Sequence, residues 1–470
     1  MSAAIGSFVK RRAHRRVFRA AVAVTLSTVV VKAVGLVKEV VVAGVYGRSD
    51  ELEAFLTAVL VAGLLINIVS ESMNQALIPT LVRVREQDGR GRAQRLLSNA
   101  MFWNGSLLLA VSAGMALLAH LFFPLVGSHF VAAKLMLAIR LFYGLMPVVV
   151  LTGFASTYTA VLSTEGEFAV PAVAPAVTPL LFMVLVPLLA GRAGAWAMVY
   201  AMGTGALIQA GWMAWKMSRC GYNAGPRWCG MNEETREVAG QFGPVMLSGV
   251  VASGGLLVDQ AMAASLPAGS LAALAYAGRF VSVALALLGG AVSAALTPVF
   301  SEMVARGEWR ECRRTVRLWA WGALAVATAV AGALIAGSRM LVGMTLQHGA
   351  FGARDSAAVS GVLVMYALQI PFFVSSRVFY RLLVAARRTD VVLYCGVLNL
   401  ALDVALNLVL MRWMGVAGIA LATSLWTVST FIFLWYWSRR VLAEASGSGG
   451  GVRVAGSRQA GGNRASHIGR

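Results

Sequence analysis

The chain has 470 residues, of which 59% are hydrophobic and 13% charged. A soluble domain carries about 25% charged residues, so a soluble enzyme, a disordered chain and a disulfide scaffold are excluded. The net charge is +20. The basic residues nonetheless stand in short clusters between long apolar stretches, as in a polytopic membrane protein and unlike a nucleic-acid binder.

The first 18 residues are basic, with Lys10, Arg11, Arg12, Arg15 and Arg16, and Arg19 follows. The apolar run after them is too long and too charged for the core of a signal peptide, and no small-residue cleavage site closes it. A spanning helix needs about 20 mainly apolar residues. By that measure about twelve candidates follow one another, near 19–45, 54–79, 99–125, 131–163, 168–190, 193–217, 237–265, 270–300, 313–338, 355–386, 389–411 and 414–438. The predicted fold class is therefore an all-α polytopic membrane protein.

The loops alternate in charge. Every second one is rich in cations: Arg83, Arg85, Arg90, Arg92 and Arg95; Lys216, Arg219, Arg227 and Arg236; Arg306, Arg310, Arg313, Arg314 and Arg317; Arg387 and Arg388. The loops between them hold about one each: Arg48, Arg192, Arg339, Arg354 and Arg412. This asymmetry predicts an even number of spans with both termini in the cytoplasm. The expected organisation is a basic N-terminus over 1–18, a six-helix bundle over 19–217 and a cytoplasmic linker over 218–236. A second six-helix bundle over 237–440 and a disordered basic tail over 441–470 complete it. Such a tail is expected beside an anionic leaflet.

The two halves echo each other. Gln75-Ala76-Leu77-Ile78-Pro79 and Ala294-Ala295-Leu296-Thr297-Pro298 both precede basic loops. Glu39 with its neighbours parallels Asp259, and Pro147 parallels Pro371. The offsets nearly agree, and six spans separate the copies. A parallel repeat with its axis along the membrane normal follows, with two bundles facing one another across a cavity. Such an arrangement belongs mostly to alternating-access transporters.

Charges inside spans are costly and mark cavities or partners. Lys32, Lys38 and Glu39 lie in the first span, Glu71 in the second and Arg140 in the fourth. Asp259 lies in the seventh, Arg279 in the eighth, Arg377 and Arg381 in the tenth and Asp403 in the eleventh. Glu53 sits at the outer mouth of the second. Lys32 and Glu39, seven apart, share a helix face, as do Arg377 and Arg381, four apart. Fixed cations in a cavity suit an anion, and a pyrophosphate above all, because the guanidinium fork matches phosphate oxygens. Glu39, Glu71 and Asp259 would hold those cations in the empty cavity, or bind a coupling cation. The competing reading makes these charges structural ion pairs between helices, and that reading is preferred for Arg140 and Asp403. The four cysteines and five histidines form no metal-ligand spacing, so no metal site and no cofactor are expected.

The stretch Lys32-Ala33-Val34-Gly35-Leu36-Val37-Lys38-Glu39, followed by Ala43 to Gly47 and Glu53-Ala54-Phe55, resembles the opening signature of the MurJ/MviN family of lipid II flippases, within the MOP superfamily. Glu71 to Pro79 continues it. Gly269-Ser270 through Tyr276-Ala277-Gly278-Arg279 to Pro298, Gly349-Ala350-Phe351 through Arg387, and Asn399 to Asn407 with Gly415 to Ser424 extend the resemblance over both halves. It implies that Lys32, Lys38 and Arg279 line a central cavity and are needed for function, and that Glu53 and Glu71 match acidic residues of the second helix. The chain departs from the family in having lysine where arginine is usual at 32 and 38. Ala62 to Asn67 stands where a Pro-Asn-x-x-Arg-Arg run is expected, and Gly278 where an acidic residue is expected. It is also expected to lack the family's last two helices.

The expected function is a flippase for a polyprenyl-pyrophosphate-linked glycan, lipid II or a related lipid-linked oligosaccharide, working by alternating access in the bacterial cytoplasmic membrane. Two alternatives are a cation-coupled exporter of small organic molecules on the same scaffold and a non-transporting cell-envelope scaffold. No enzyme is expected, because no nucleophile, base and orienting group come together. The expected partners are the lipid-linked glycan, membrane lipids and cell-envelope synthesis enzymes, with no nucleic acid.

Overall fold

A computed structural model describes residues 27–127 and 130–447. The basic N-terminus and most of the tail lie outside the described residues. Among the described residues, nine helices are long and apolar enough to cross a membrane. They are α2 (Asp50–Asp88), α3 (Arg90–Leu117), α4 (Ala132–Thr164), α5 (Ala169–Ala193), α8 (Ser270–Ala305), α9 (Trp309–Ala336), α10 (Ala353–Ala385), α11 (Asp390–Met414) and α12 (Val416–Ala445). Three less apolar helices stand among them: α1 (27–46), α6 (Trp196–Arg219) and α7 (Glu233–Ala264). Each of the twelve expected spans thus falls on a helix, residues 19–26 of the first lying outside the described residues. The candidate near 99–125 is not continuous: α3 ends at Leu117 and a short helix, Ala119–Val126, follows it.

The elements show local reasons for their limits. Ser49 caps α2 by accepting from the Leu52 N–H, and Asp50, Glu51 and Glu53 fill the first turn, where the helix dipole favours acids. Asn232 caps α7 by accepting from the Thr235 N–H. A π-helical segment, Asn67–Glu71, interrupts α2. Pro79, Pro147 and Pro298 lie inside α2, α4 and α8, whereas Pro371 begins the second half of α10. The proline echo between the halves therefore becomes a broken helix in one copy and a continuous one in the other.

Packing separates the first helices from the last. α2 packs on α4, α4 on α6, and α5 on α6. In the second half α8 and α9 both pack on α10, and α11 packs on α12. α7 leans both ways, with contacts to α2 as well as to α11. Large apolar side chains such as Leu117, Leu121, Leu188 and Trp413 are exposed on the outer faces. In water such a surface would aggregate; in a bilayer it is the lipid-facing side.

The two bundles are joined at the end away from the arginine-rich loops, here the far end, and α7 also packs on α2 toward the basic end, where Arg83 pairs with Glu237. The Ala350 N–H donates to the Gly44 carbonyl at 2.8 Å, tying the turn after Gln347 to the last turns of α1. Gly349 makes this possible. Its φ is 58°, and a Cβ there would lie 2.1 Å from the Gly44 oxygen. Gly349→Ala is expected to cost about 2–4 kcal/mol, from the left-handed backbone and the clash together. A fall in the thermal midpoint of the detergent-purified protein is the check. A variant as stable as the parent would show that the turn does not hold α1.

Candidate functional site

The charged residues of α1 stand where the two bundles meet. Glu39 Oε1 accepts from Lys38 Nζ at 2.7 Å and pairs with Arg279 Nε at 3.1 Å. One carboxylate oxygen thus joins α1 to α8. The Lys38 ammonium also lies 5.0 Å from the centre of the Phe182 ring, on α5. The side chains of Lys38 and Glu39 are mostly buried, whereas that of Arg279 is about half exposed. The shared face expected for Lys32 and Glu39 does not pair them, because the adjacent Lys38 and the α8 arginine take the carboxylate.

Lys32 lies further along α1 toward the basic end. It lines two crevices. One, of about 110 Å³, is shared with Val283, Ala286, Leu287 and Gly290 of α8. The other, of about 430 Å³, is shared with Thr159, Ser163, Phe168 and Pro171 of the first bundle. Among the described residues no ion pair involves Lys32. Its ammonium is therefore available at the boundary between bundles.

Arg279 also lines a crevice of about 360 Å³ between α2 and the α7–α8 pair, which Asp259 shares. Asp259 faces a polar group inside the second bundle. Its Oδ1 accepts from Asn407 Nδ2 at 2.7 Å and its Oδ2 from Thr423 Oγ1 at 3.3 Å. The same Asn407 amide donates to Asp403 at 3.2 Å. Asp403 is thus held by an amide and not by a cation, which corrects the expected ion pair. Arg140, the other expected structural pair, is exposed and makes no ion pair among the described residues.

The remaining candidates stand apart from this cluster. Glu71 is exposed and accepts from Ser156 Oγ of α4 at 2.8 Å. Arg377 stacks 4.2 Å from the Phe373 ring beside Gly289 of α8. Arg381 lies 5.7 Å from the Tyr380 ring, and its Nε is buried with no hydrogen-bond partner. Neither arginine makes an ion pair among the described residues.

Glu53 has a different setting. It is 2% exposed, and Lys134, 7% exposed, pairs with it. Lys134 also reaches Asp50 at 2.8 Å. The other Glu53 oxygen accepts from the Ala272 N–H at 3.2 Å, in the first turn of α8. A carboxylate at a helix N-terminus satisfies orphan donors and the dipole together. Beside it Arg48 Nε donates to the Gly269 carbonyl at 2.8 Å and Arg48 pairs with Asp355 at 3.3 Å. The Tyr276 hydroxyl donates to the Gly47 carbonyl at 3.0 Å. These contacts form a polar clasp between the bundles at the far end. Sequence reading missed Lys134 and Tyr276. Lys134 was readable as a lone cation at the mouth of the fourth span; nothing local marked Tyr276.

The geometry is that of two helical bundles with a cationic cluster between them, and comparison with known proteins places it. The family described as lipid II flippase MurJ matches residues 42–455. A relative from Bdellovibrio bacteriovorus, named a probable lipid II flippase MurJ, is 25% identical over 423 residues, covering 87% of this chain and 79% of its own. Among solved structures, a lipid II flippase MurJ in an inward closed conformation superposes with a TM-score of 0.76 at 18% identity, over 90% of this chain and 89% of its own. An inward-facing multidrug transporter of the MATE family, from the MOP superfamily, gives 0.75 at 12% identity, over 91% and 99%. These last two show the shared fold, and the family match over most of the length decides membership: the chain belongs to the lipid II flippase MurJ family.

Proposed function

We propose that this chain flips lipid II, or a closely related polyprenyl-pyrophosphate-linked glycan, between the leaflets of the bacterial cytoplasmic membrane. The observation that carries this reading is the bridge from Lys38 through Glu39 to Arg279, which sets cations of both bundles around one point. A pyrophosphate arriving there would displace the Glu39 carboxylate and take over both partners. Lys32, which makes no ion pair among the described residues, adds a further charge on the same route. Neutralising the headgroup in this way lowers the cost of moving it through the low-dielectric midplane. The polyprenyl tail would stay in lipid. Rocking of the bundles about their contacts would then expose the cations to one side and next to the other. An exporter of organic cations would need the opposite charge at this point.

The basic end would face the cytoplasm, with both termini there, because arginine-rich loops are retained on that side. Enzymes of cell-envelope synthesis are the partners that would supply and consume such a cargo. Coupling is assigned to Asp259. The Asn407 Oδ1 is buried with no donor, beside the carboxylates of Asp259 and Asp403 and the Thr423 hydroxyl. Such a set of hard oxygens suits a small cation. Asp259→Asn is expected to leave transport insensitive to an imposed sodium or proton gradient; undiminished gradient dependence would remove Asp259 from the coupling step.

Complementation tests the function. Expressed in a bacterium depleted of its own lipid II flippase, the chain is expected to restore growth at normal membrane levels. Failure despite insertion would exclude lipid II and leave a related lipid-linked glycan as the cargo.

A further inference from the structure

A crevice of about 480 Å³ opens between α9 and α12 at the basic end of the second bundle. Neither helix lines the crevices around Lys32 and Arg279. α10 packs on α9, α12 and α8, and α8 also touches α9 and α12. The crevice is amphipathic along its length. Toward the basic end it is lined by Arg313, Arg317 and Arg439, and toward the middle of the helices by Trp321, Phe431 and Trp435. Among the described residues no acidic one lines it.

The arginines are placed, not merely present. Arg313 Nη2 donates to the Leu442 carbonyl at 3.2 Å, which fixes it across the floor between the two helices. Arg317 follows one turn later on the same side of α9. The Arg439 guanidinium is held 4.5 Å over the Trp435 ring. Trp321 is 67% exposed and Trp435 39%, so the apolar half opens outward, and tryptophans beside arginines suit a membrane interface.

We propose that this crevice is a binding site for an anionic phospholipid of the leaflet at the basic end. Arg317 and Arg439 grip the phosphate, and an acyl chain lies along Trp321, Phe431 and Trp435. The guanidinium forks match phosphate oxygens, and the concave apolar half continues directly into the hydrocarbon of the bilayer. A free phosphate could use only the arginines, and phosphatidylcholine, though it carries a phosphate, also brings a trimethylammonium that Arg313, Arg317 and Arg439 repel. The cargo has no reason to stop here, since the crevice shares no lining residue with those around Lys32 and Arg279.

The test uses the full chain in detergent, stripped of lipid, then incubated with phosphatidylglycerol, phosphatidylcholine or inorganic phosphate, with retained lipid counted after gel filtration. Phosphatidylglycerol is expected to bind at least about tenfold tighter than phosphatidylcholine, since each arginine near the surface adds about a factor of five. In the double variant Arg317→Ala, Arg439→Ala that preference is expected to vanish while elution volume and helix content stay those of the parent. Brominated phosphatidylglycerol should quench tryptophan fluorescence less in Trp321→Phe than in the parent. An unchanged preference in the double variant would overturn the proposal. So would displacement of the lipid by equimolar inorganic phosphate, which would make the site one for plain anions. Displacement by a lipid-linked pyrophosphate in preference to phosphatidylglycerol would also overturn it, by making the crevice a station for cargo.

Discussion

Arg279→Ala is expected to abolish transport while the protein still inserts and folds. The side chain is about half exposed and its partner Glu39 keeps Lys38 at 2.7 Å, so little of the fold depends on it. The cargo depends on it far more. A pyrophosphate crossing the midplane loses its hydration, and a charge-assisted hydrogen bond there is worth about 1.5–3 kcal/mol, with more lost when an ion is left unpaired. Losing the only cation that α8 brings to Glu39 should therefore slow flipping by about 100-fold or more. Arg279→Lys should fall between, because lysine keeps the charge and loses the fork. Flipping of a fluorescent lipid-linked pyrophosphate in proteoliposomes measures the rate, and membrane abundance and thermal midpoint control for folding. Parental transport by Arg279→Ala would make the bridge to Glu39 a structural tie and no part of the cargo path.

The fold was readable where the signal is additive along the chain. Apolar stretches of spanning length and the alternation of basic loops located the helices, because both depend on many residues and tolerate local exceptions. Breaks were not readable. The π-segment at Asn67–Glu71 and the ending of α3 at Leu117 shift no average hydropathy. The site was readable as chemistry and not as geometry. Lys38, Glu39 and Arg279 stood out as charges within spans, yet whether Arg279 meets Glu39 depends on the rotation of α1 against α8, which spacing cannot supply. Asp403 shows the opposite failure. A buried carboxylate invites a cation as its partner, and the chain supplies the Asn407 amide from the next turn instead.

Lys134→Ala should be the most destabilising single change at the far end, at about 3–5 kcal/mol. The reason is asymmetry. Lys134 and Glu53 are both almost fully buried, and removing one leaves the other charged with no water to take over. Glu53 would keep only the Ala272 N–H, one donor for two oxygens. The double variant Lys134→Met, Glu53→Gln should recover most of the loss. It removes both charges, keeps the volume, and leaves an amide oxygen to accept from Ala272. A coupling of about 2 kcal/mol or more between the two sites in thermal or denaturant unfolding would mark a true pair; additive losses would mean that each residue acts alone. The pair also bears on the cycle. Glu53 fastens α2 to the first turn of α8, so the far end cannot open while that contact holds. The neutral double variant holds the Ala272 N–H with an amide oxygen, a weaker acceptor than the carboxylate, and should therefore open more readily at the far end than the parent, at nearly equal stability. Faster modification of a cysteine placed at Ala272 by a membrane-impermeant thiol reagent would show it. Equal modification rates would mean that Arg48 and Tyr276 hold the clasp without Glu53.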